Sequence, residues 1–212
     1  MARILITSGP TRQYLDPVRY LTNASSGRMG SALAQAAIEL GHEVVVASGP
    51  VAVEYPRAAR VVHVVTTDEL LAACRREFPM CDGLIGAAAP CDYQPVKIAE
   101  HKIAKTGQPL ELHLVETPDV VATLGAEKRP GQWLVGFALE TADAHFRAVT
   151  KMLKKSCDLM VLNGPEAMNS LDNRVEILDR NRAVIQTFAG SKDEVARGIL
   201  RMIQITLVNR GE

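Results

Sequence analysis

"SSGRMGSALAQAAIELGHEVVVASG", residues 25–49, carries two periodicities in one breath. Met29, Leu33, Ala36, Ala37 and Leu40 recur at helical spacing, and Gly41 closes the run. "EVVVASG" (43–49) then follows as a continuous apolar strand ending in a turn, like "RILITSG" (3–9) upstream. A strand, a helix and a second buried strand in this order predict a parallel pair with a crossover helix.

The alternation continues along the chain. "RVVHVVT" (60–66), "GLIGAAA" (83–89), "WLVGFALE" (133–140) and "DLMVLN" (158–163) read as further strands. Helices are predicted over 26–40, 67–78, 118–128 and 142–156. The end differs: residues 174–188 read as a hairpin turning at Arg180–Asn181–Arg182, and a helix over 191–207 has Ser191 as N-cap with Glu194 completing a capping box. The pattern predicts one α/β domain over 1–212: a Rossmann-like, mainly parallel sheet with helices on both faces, plus a C-terminal β-hairpin and helix. The stretch 90–117 is long and irregular, which points to function.

Composition narrows the field. Of 212 residues 47% are hydrophobic, enough for a substantial core. Lys plus Arg number 24 against 24 Asp plus Glu, so no global basic field suggests nucleic acid or an acidic membrane. Aromatics at 4% disfavour a base-stacking platform. Cys74, Cys81, Cys91 and Cys157 form no CxxC pair, so they read as buried reduced thiols, which implies a cytosol. No apolar stretch approaches the ~20 residues that span a bilayer, and Met1 leads into a strand without a secretory segment. The expectation is a soluble cytoplasmic domain.

In an open α/β sheet, ligands bind beyond the carboxyl ends of the strands, near helix N-termini. Ser25, Ser26 and Gly27 stand at such a place: as a phosphate turn, or equally as an ordinary N-cap. No GxGxxG follows the first strand, and the second ends in "ASGP" without an acid for a ribose, so a standard NAD site is disfavoured. Tyr93 and Lys97 have the spacing of a dehydrogenase pair, but Pro95 between them excludes the helix it needs. Lys102 and Lys105 flank Ile103 and Ala104, able to close over a polyphosphate or simply solvated. Lys151 and Lys155 share a helix face and repel unless an anion or carboxylate intervenes. Thr117 as N-cap with Pro118 at the first helical position offers another helix start. Asp92 suits Mg²⁺, a base amine or a turn. Cys91 reads as buried rather than nucleophilic, and Phe137 as core or as the wall of a base pocket. These stations imply an anionic, nucleotide-type ligand and name no reaction.

"GPTRQYLDPVRYLTNASSGRMG" (9–30) closely resembles the opening of the phosphopantothenate–cysteine ligase family, also called phosphopantothenoylcysteine synthetase, of coenzyme A biosynthesis. "AAAPCDYQP", "KIAK", "TPDVV", "VGFALET" and "KKSCDLMVLN" continue the match in order over essentially the whole chain. The resemblance implies a Rossmann-like dimer that uses CTP and Mg²⁺ to make an acyl-cytidylate of 4′-phosphopantothenate, which the amine of L-cysteine attacks. It implies catalytic roles for Asn23 and Lys102, with the neutral amide of Asn23 donating to the acyl carbonyl. Nucleotide contacts are implied for Asp92, Lys102, Pro118, Asp119, Val120, Val121, Phe137, Lys151 and Lys155, with Ala88 and Ala89 beside the base; the residue reading adds Gly9, Ser25, Ser26, Gly27 and Lys105 to the expected nucleotide site and Asp92 as the expected Mg²⁺ ligand. Bacterial relatives often carry the domain behind a flavin-dependent decarboxylase, which implies a fused or associated partner. No nucleic acid or membrane partner is implied. Arg28 replaces a common family lysine, Asn163-Gly164 replaces Asn-Asp, and Met168 and Leu171 replace a Phe-x-x-Asp pattern. The alternatives on the same architecture are a nicotinamide- or flavin-dependent reductase and a non-catalytic nucleotide-binding protein.

Overall fold

The computed structural model describes residues 1–140, 143–164 and 172–209. Six apolar segments form parallel strands: β1 (Arg3–Ser8), β4 (Glu43–Ser48), β5 (Arg60–His63), β6 (Gly83–Gly86), β9 (Trp133–Leu139) and β10 (Leu159–Asn163). The remaining short strands are β2 (Arg12–Tyr14), β3 (Tyr20–Thr22), β7 (Tyr93–Pro95) and β8 (Leu114–Glu116). Two longer ones, β11 (Asp172–Asp179) and β12 (Val184–Ser191), form the expected hairpin. Helices are α1 (Arg28–Glu39), α2 (Thr67–Glu77), α3 (Val120–Glu127), α4 (Ala144–Lys154) and α5 (Lys192–Ile203).

The main sheet runs β12-β11-β10-β9-β6-β1-β4-β5, with β11 and β12 antiparallel at one edge. The chain moves outward from β1 through β4 to β5, then returns to β6 on the other side of β1. Strand order therefore reverses between β1 and β6, and a crevice opens beyond their carboxyl ends.

Alternation along each strand divides the core. Ile4, Ile6, Val44, Val46, Val135, Leu159 and Val161 face α1 and α5. Leu5, Val45, Leu84, Leu134, Met160 and Leu162 face α2, α3 and α4. Fully apolar strands are what a sheet covered on both faces requires. Small residues of α1 (Ala32, Ala36, Ala37) are buried and let it lie close to α5.

Several boundaries differ from the sequence reading. The strand expected over 83–89 ends at Gly86, and the one over 60–66 ends at His63. α5 ends at Ile203 and continues as a π-turn over Gln204–Val208. The capping box of Ser191 and Glu194 is present. The irregular stretch 90–117 contains the antiparallel pair β7–β8, and a second small pair, β2–β3, stands between β1 and α1. Thr141, Met168, Leu171 and most of the 163–173 loop fall outside the described residues.

Candidate active site

The crevice is lined by the ends of β1 and β6. Ala89 N donates to Gly9 O at 2.9 Å, Ala88 N donates to Thr7 Oγ1 at 3.2 Å, and Pro10 bridges to Ala89. Gly9 and Gly27 both have φ of 75°, a left-handed turn that favours glycine. A Cβ on either would meet a Val51 methyl, at 2.6 Å and 2.8 Å. At Gly30 a Cβ would lie 2.1 Å from Ser8 Oγ, so this glycine lets α1 press onto β1. Turn, close approach and helix–strand contact are the tasks of the three glycines in a dinucleotide fingerprint. Here the β2–β3 hairpin is inserted after the first of them. Val51, backed by Val53, occupies the approach to Gly9 and Gly27, and Tyr55 OH bonds Ser8 Oγ and Ser48 Oγ behind it, both at 2.8 Å.

The helix beyond begins two residues later than its sequence suggested. Gly27 is its N-cap, without a side-chain cap, so Ser25 and Ser26 do not serve as the N-cap. Neither serine hydroxyl bonds a protein group among the described residues, and the first turn carries no acid. Both features leave a positive helix end open to an anion. Asn23 reaches across the crevice: its Nδ2 donates to Pro90 O at 2.8 Å and to Ala89 O at 3.4 Å. Two carbonyls therefore fix which way the amide faces and use its donors. The donation expected from Asn23 to an acyl carbonyl would have to replace one of these contacts, whereas the acceptor Oδ1 has no hydrogen-bond partner among the described residues.

Lys102 is exposed, and its neighbour is clamped. Asp16, fully buried, accepts from Val18 N and Arg19 N at 2.8 Å and from Ile103 N at 3.1 Å. Arg19 Nη1 donates to Asp16 Oδ2 at 2.8 Å and to Ile103 O at 2.9 Å. Burial opposes the charge of Asp16. The N–H groups of Val18, Ile103 and Arg19, with the Arg19 guanidinium, outweigh it and hold the carboxyl at about 2. The hairpin leading to Asn23 thus also grips the segment bearing Lys102. Neither Lys102 nor Lys105 makes an ion pair among the described residues.

The model of a protein family described as the DNA/pantothenate metabolism flavoprotein C-terminal domain matches residues 1–206. The chain belongs to this family. It is 41% identical over 180 residues to the "Coenzyme A biosynthesis bifunctional protein CoaBC" of Vibrio vulnificus, covering 82% of this chain and 45% of that protein. It is 39% identical over 212 residues to a "Cysteine/Cysteine sulfinic acid decarboxylase" of an unknown prokaryotic organism, covering 98% of this chain and 59% of that one. The chain thus spans about half the length of these relatives. A crystal structure of the C-terminal domain of CoaBC superposes with a TM-score of 0.81 at 35% identity, covering 98% of this chain and 96% of that one.

In this member of the flavoprotein C-terminal domain family, a threonine cluster sets the loop after β6. Thr11 Oγ1 bonds Thr67 Oγ1 and accepts from Cys91 N, both at 2.8 Å. Thr67 Oγ1 (3.2 Å) and Thr117 Oγ1 (2.7 Å) donate to Cys91 O. Cys91 is buried, as expected of a thiol that is not a nucleophile, and Asp92 beside it is exposed. Thr117 is therefore a loop tie, and the N-cap of α3 is Asp119, accepting from Ala122 N at 3.0 Å. This corrects the expected Thr117 cap and the placing of Pro118 inside the helix. Val120 is buried and Val121 closes over Gly86.

The two lysines of α4 already have carboxylates. Lys151 Nζ lies 2.6 Å from Glu140 Oε1, and Lys155 Nζ lies 3.0 Å from Asp119 Oδ2. Phe137 packs against the α1–α5 side of the core, whereas Ala88, Val121 and α4 belong to the other. The sheet thus lies between Phe137 and Val121 with α4. Asp16, Arg19, Thr11, Thr67, Val51 and Glu140 escaped the sequence reading. Only Asp16 carried a local signal: an aspartate before Pro17 commonly opens a turn.

Proposed function

We propose that this domain joins 4′-phosphopantothenate to L-cysteine, with CTP as cosubstrate, in coenzyme A biosynthesis. The observation that carries the reading is the double grip of the β2–β3 hairpin. Through Asn23 it holds the Ala89–Pro90 turn, and through Asp16 and Arg19 it holds Ile103 beside Lys102. Segments far apart in sequence are thereby tied to one hairpin, which supports a two-step reaction on one ligand. Membership in the family and likeness to the CoaBC C-terminal domain support the same reading.

In the first step a carboxylate oxygen of 4′-phosphopantothenate attacks the α-phosphorus of CTP. The bond to the bridging oxygen breaks and pyrophosphate leaves. Lys102, exposed and without an ion pair among the described residues, offsets the charge that builds on the leaving group. The open start of α1 with Ser25 and Ser26, and the lysines of α4, receive the remaining phosphate charge. In the second step the amine nitrogen of cysteine attacks the acyl carbon. The carbon–oxygen bond to phosphate breaks, CMP leaves with the electron pair, and the nitrogen loses a proton. Asn23 Oδ1 accepts a hydrogen bond from that amine, since its own donors are committed to the loop.

The family implies Mg²⁺. Among the described residues no group of three His, Cys, Asp or Glu side chains is placed to hold a metal. Mg²⁺ commonly takes one or two carboxylates together with nucleotide phosphates, and the exposed Asp92 fits that arrangement. When bound, the ion would supply charge stabilisation for phosphoryl displacement.

The active form is a homodimer, supported by exposed apolar side chains at Tyr93, Val96, Leu110, Leu112, Leu114 and Val115 on and around β7–β8. A flavin-dependent decarboxylase is its fused or associated partner, and the setting is the cytoplasm. Among the described residues no helix is long and apolar enough to cross a membrane.

Melting the protein with CTP·Mg²⁺ and, separately, with NADPH tests the class, because only a ligand preferring the folded form stabilises it. CTP should raise the melting temperature and NADPH should not. Stabilisation by NADPH alone would replace this reading with the reductase.

A further inference from the structure

Lys151 and Lys155 sit four residues apart, yet their carboxylate partners are built differently. Glu140, at the end of β9, is 5% exposed. Its Oε1 is buried and has no regular hydrogen bond among the described residues; what faces it there is the Lys151 ammonium at 2.6 Å, off the usual hydrogen-bond directions. The contact is therefore an ion pair held by charge. Asp119 is the opposite case. Its side chain is 40% exposed, Oδ2 meets Lys155 at 3.0 Å, and Oδ1 separately caps α3.

The consequences of losing each lysine differ accordingly. Were Lys151 to swing away, Glu140 would be left as a buried charge without a counter-ion among the described residues, which is strongly unfavourable. Were Lys155 to leave, Asp119 would turn to water and keep its cap. An ammonium has three donors, so Lys151 can remain on Glu140 and still present N–H groups to a phosphate; its side chain is 46% exposed.

We infer that Glu140 is a positioning residue: it pins Lys151 in place for the nucleotide's phosphates, while Lys155 is the cation that exchanges Asp119 for the ligand. The inference rests on the nucleotide reading above and assigns the two lysines different tasks. The opposite reading, a carboxylate that competes with phosphate for Lys151, predicts the opposite sign on removal of its charge.

Calorimetric titration with CTP·Mg²⁺ decides it, using the wild type, Glu140→Gln, Lys151→Met and the double variant. Glu140→Gln should weaken CTP about tenfold, a typical coupling between groups in contact. Lys151→Met strands Glu140 and should melt at a lower temperature than the double variant, which strands nothing. With Lys151 absent, the double variant against Lys151→Met should differ in CTP affinity by less than about twofold. Should Lys151→Met fail to fold, Glu140→Gln against the double variant still reports whether Lys151 binds CTP without its carboxylate. The inference is overturned by tighter CTP binding in Glu140→Gln, by unchanged binding, or by an equal loss with and without Lys151. A wild type that turns over with an unaltered Glu140→Gln affinity overturns it alone. A wild type that binds no CTP overturns the nucleotide reading itself.

Discussion

Ile103 N donates to Asp16 Oδ2 at 3.1 Å, so a buried carboxylate in the β2–β3 connection holds the backbone next to Lys102. Lys102 itself is exposed and touches no carboxylate among the described residues. Its place is therefore set through Ile103, and the clamp can be tested apart from the lysine.

Asp16→Asn should keep the fold but loosen this segment, because a neutral amide cannot accept from four donors or balance Arg19. Pyrophosphate release should fall roughly 10–100-fold, the scale of misplacing a catalytic group. The carboxyl is held at about 2, below the ~3.9 of an unfolded chain. Its contribution is complete above about pH 4 and is lost as pH falls through about 2. Hydrogen exchange at the Ile103 amide should stay slow down to about pH 3 in the wild type and be fast throughout in Asp16→Asn. Equal protection in both proteins would remove Asp16 from this role.

Gly27→Ala should destabilise the protein by about 1–3 kcal/mol, because a side chain is strained at φ 75° and would press on Val51. Thermal or urea unfolding measures it. Adding Val51→Ala should recover part of the loss and leave the backbone strain. A neutral Gly27→Ala would contradict the packing of Val51 into the glycine turn.

Much of this architecture is legible in the residues. The switch from helical spacing over 29–40 to "EVVVASG" predicts a strand–helix–strand unit, and the same alternation recurs down the chain. The capping box at Ser191 and the turn at Arg180–Arg182 are local chemistry and emerge unchanged. The β2–β3 hairpin does not announce itself: each strand has three residues, too few for a period to register. Val51 looks like any loop valine until the fold carries it onto Gly9 and Gly27. Glu140 and Asp119 gain meaning only when α4 brings lysines to them. The Gly27-x-x-Gly30 spacing hides because a hairpin separates it from Gly9. What sequence conceals here is contact between distant segments, which no local pattern encodes.

Lys102→Gln should fold normally, since the side chain is exposed, and should lose pyrophosphate release by roughly 10²-fold or more. Single-turnover kinetics with CTP and 4′-phosphopantothenate measures it. Near-wild-type release from a folded variant would take Lys102 out of the first step.

Asn23→Asp replaces two donations to Ala89 and Pro90 carbonyls with like-charged contacts, so the side chain should turn out of its fixed orientation. The cations of the first step remain, and the group that holds the amine is lost. Amide formation should therefore slow at least about tenfold more than pyrophosphate release, with a burst near one per site and enzyme-bound acyl-cytidylate detectable by mass spectrometry after an acid quench. Absence of any burst from a folded, CTP-binding variant would assign Asn23 to activation instead.

The most direct test of the account is a product assay on the wild-type protein with 4′-phosphopantothenate, L-cysteine, Mg²⁺ and either CTP or ATP. Pyrophosphate and the cysteine amide should form in equal amounts with CTP, more efficiently than with ATP, and neither should form when 4′-phosphopantothenate is omitted. A folded protein that binds CTP but releases no pyrophosphate with any nucleotide, both cosubstrates present, would contradict the ligase and leave a nucleotide-binding protein.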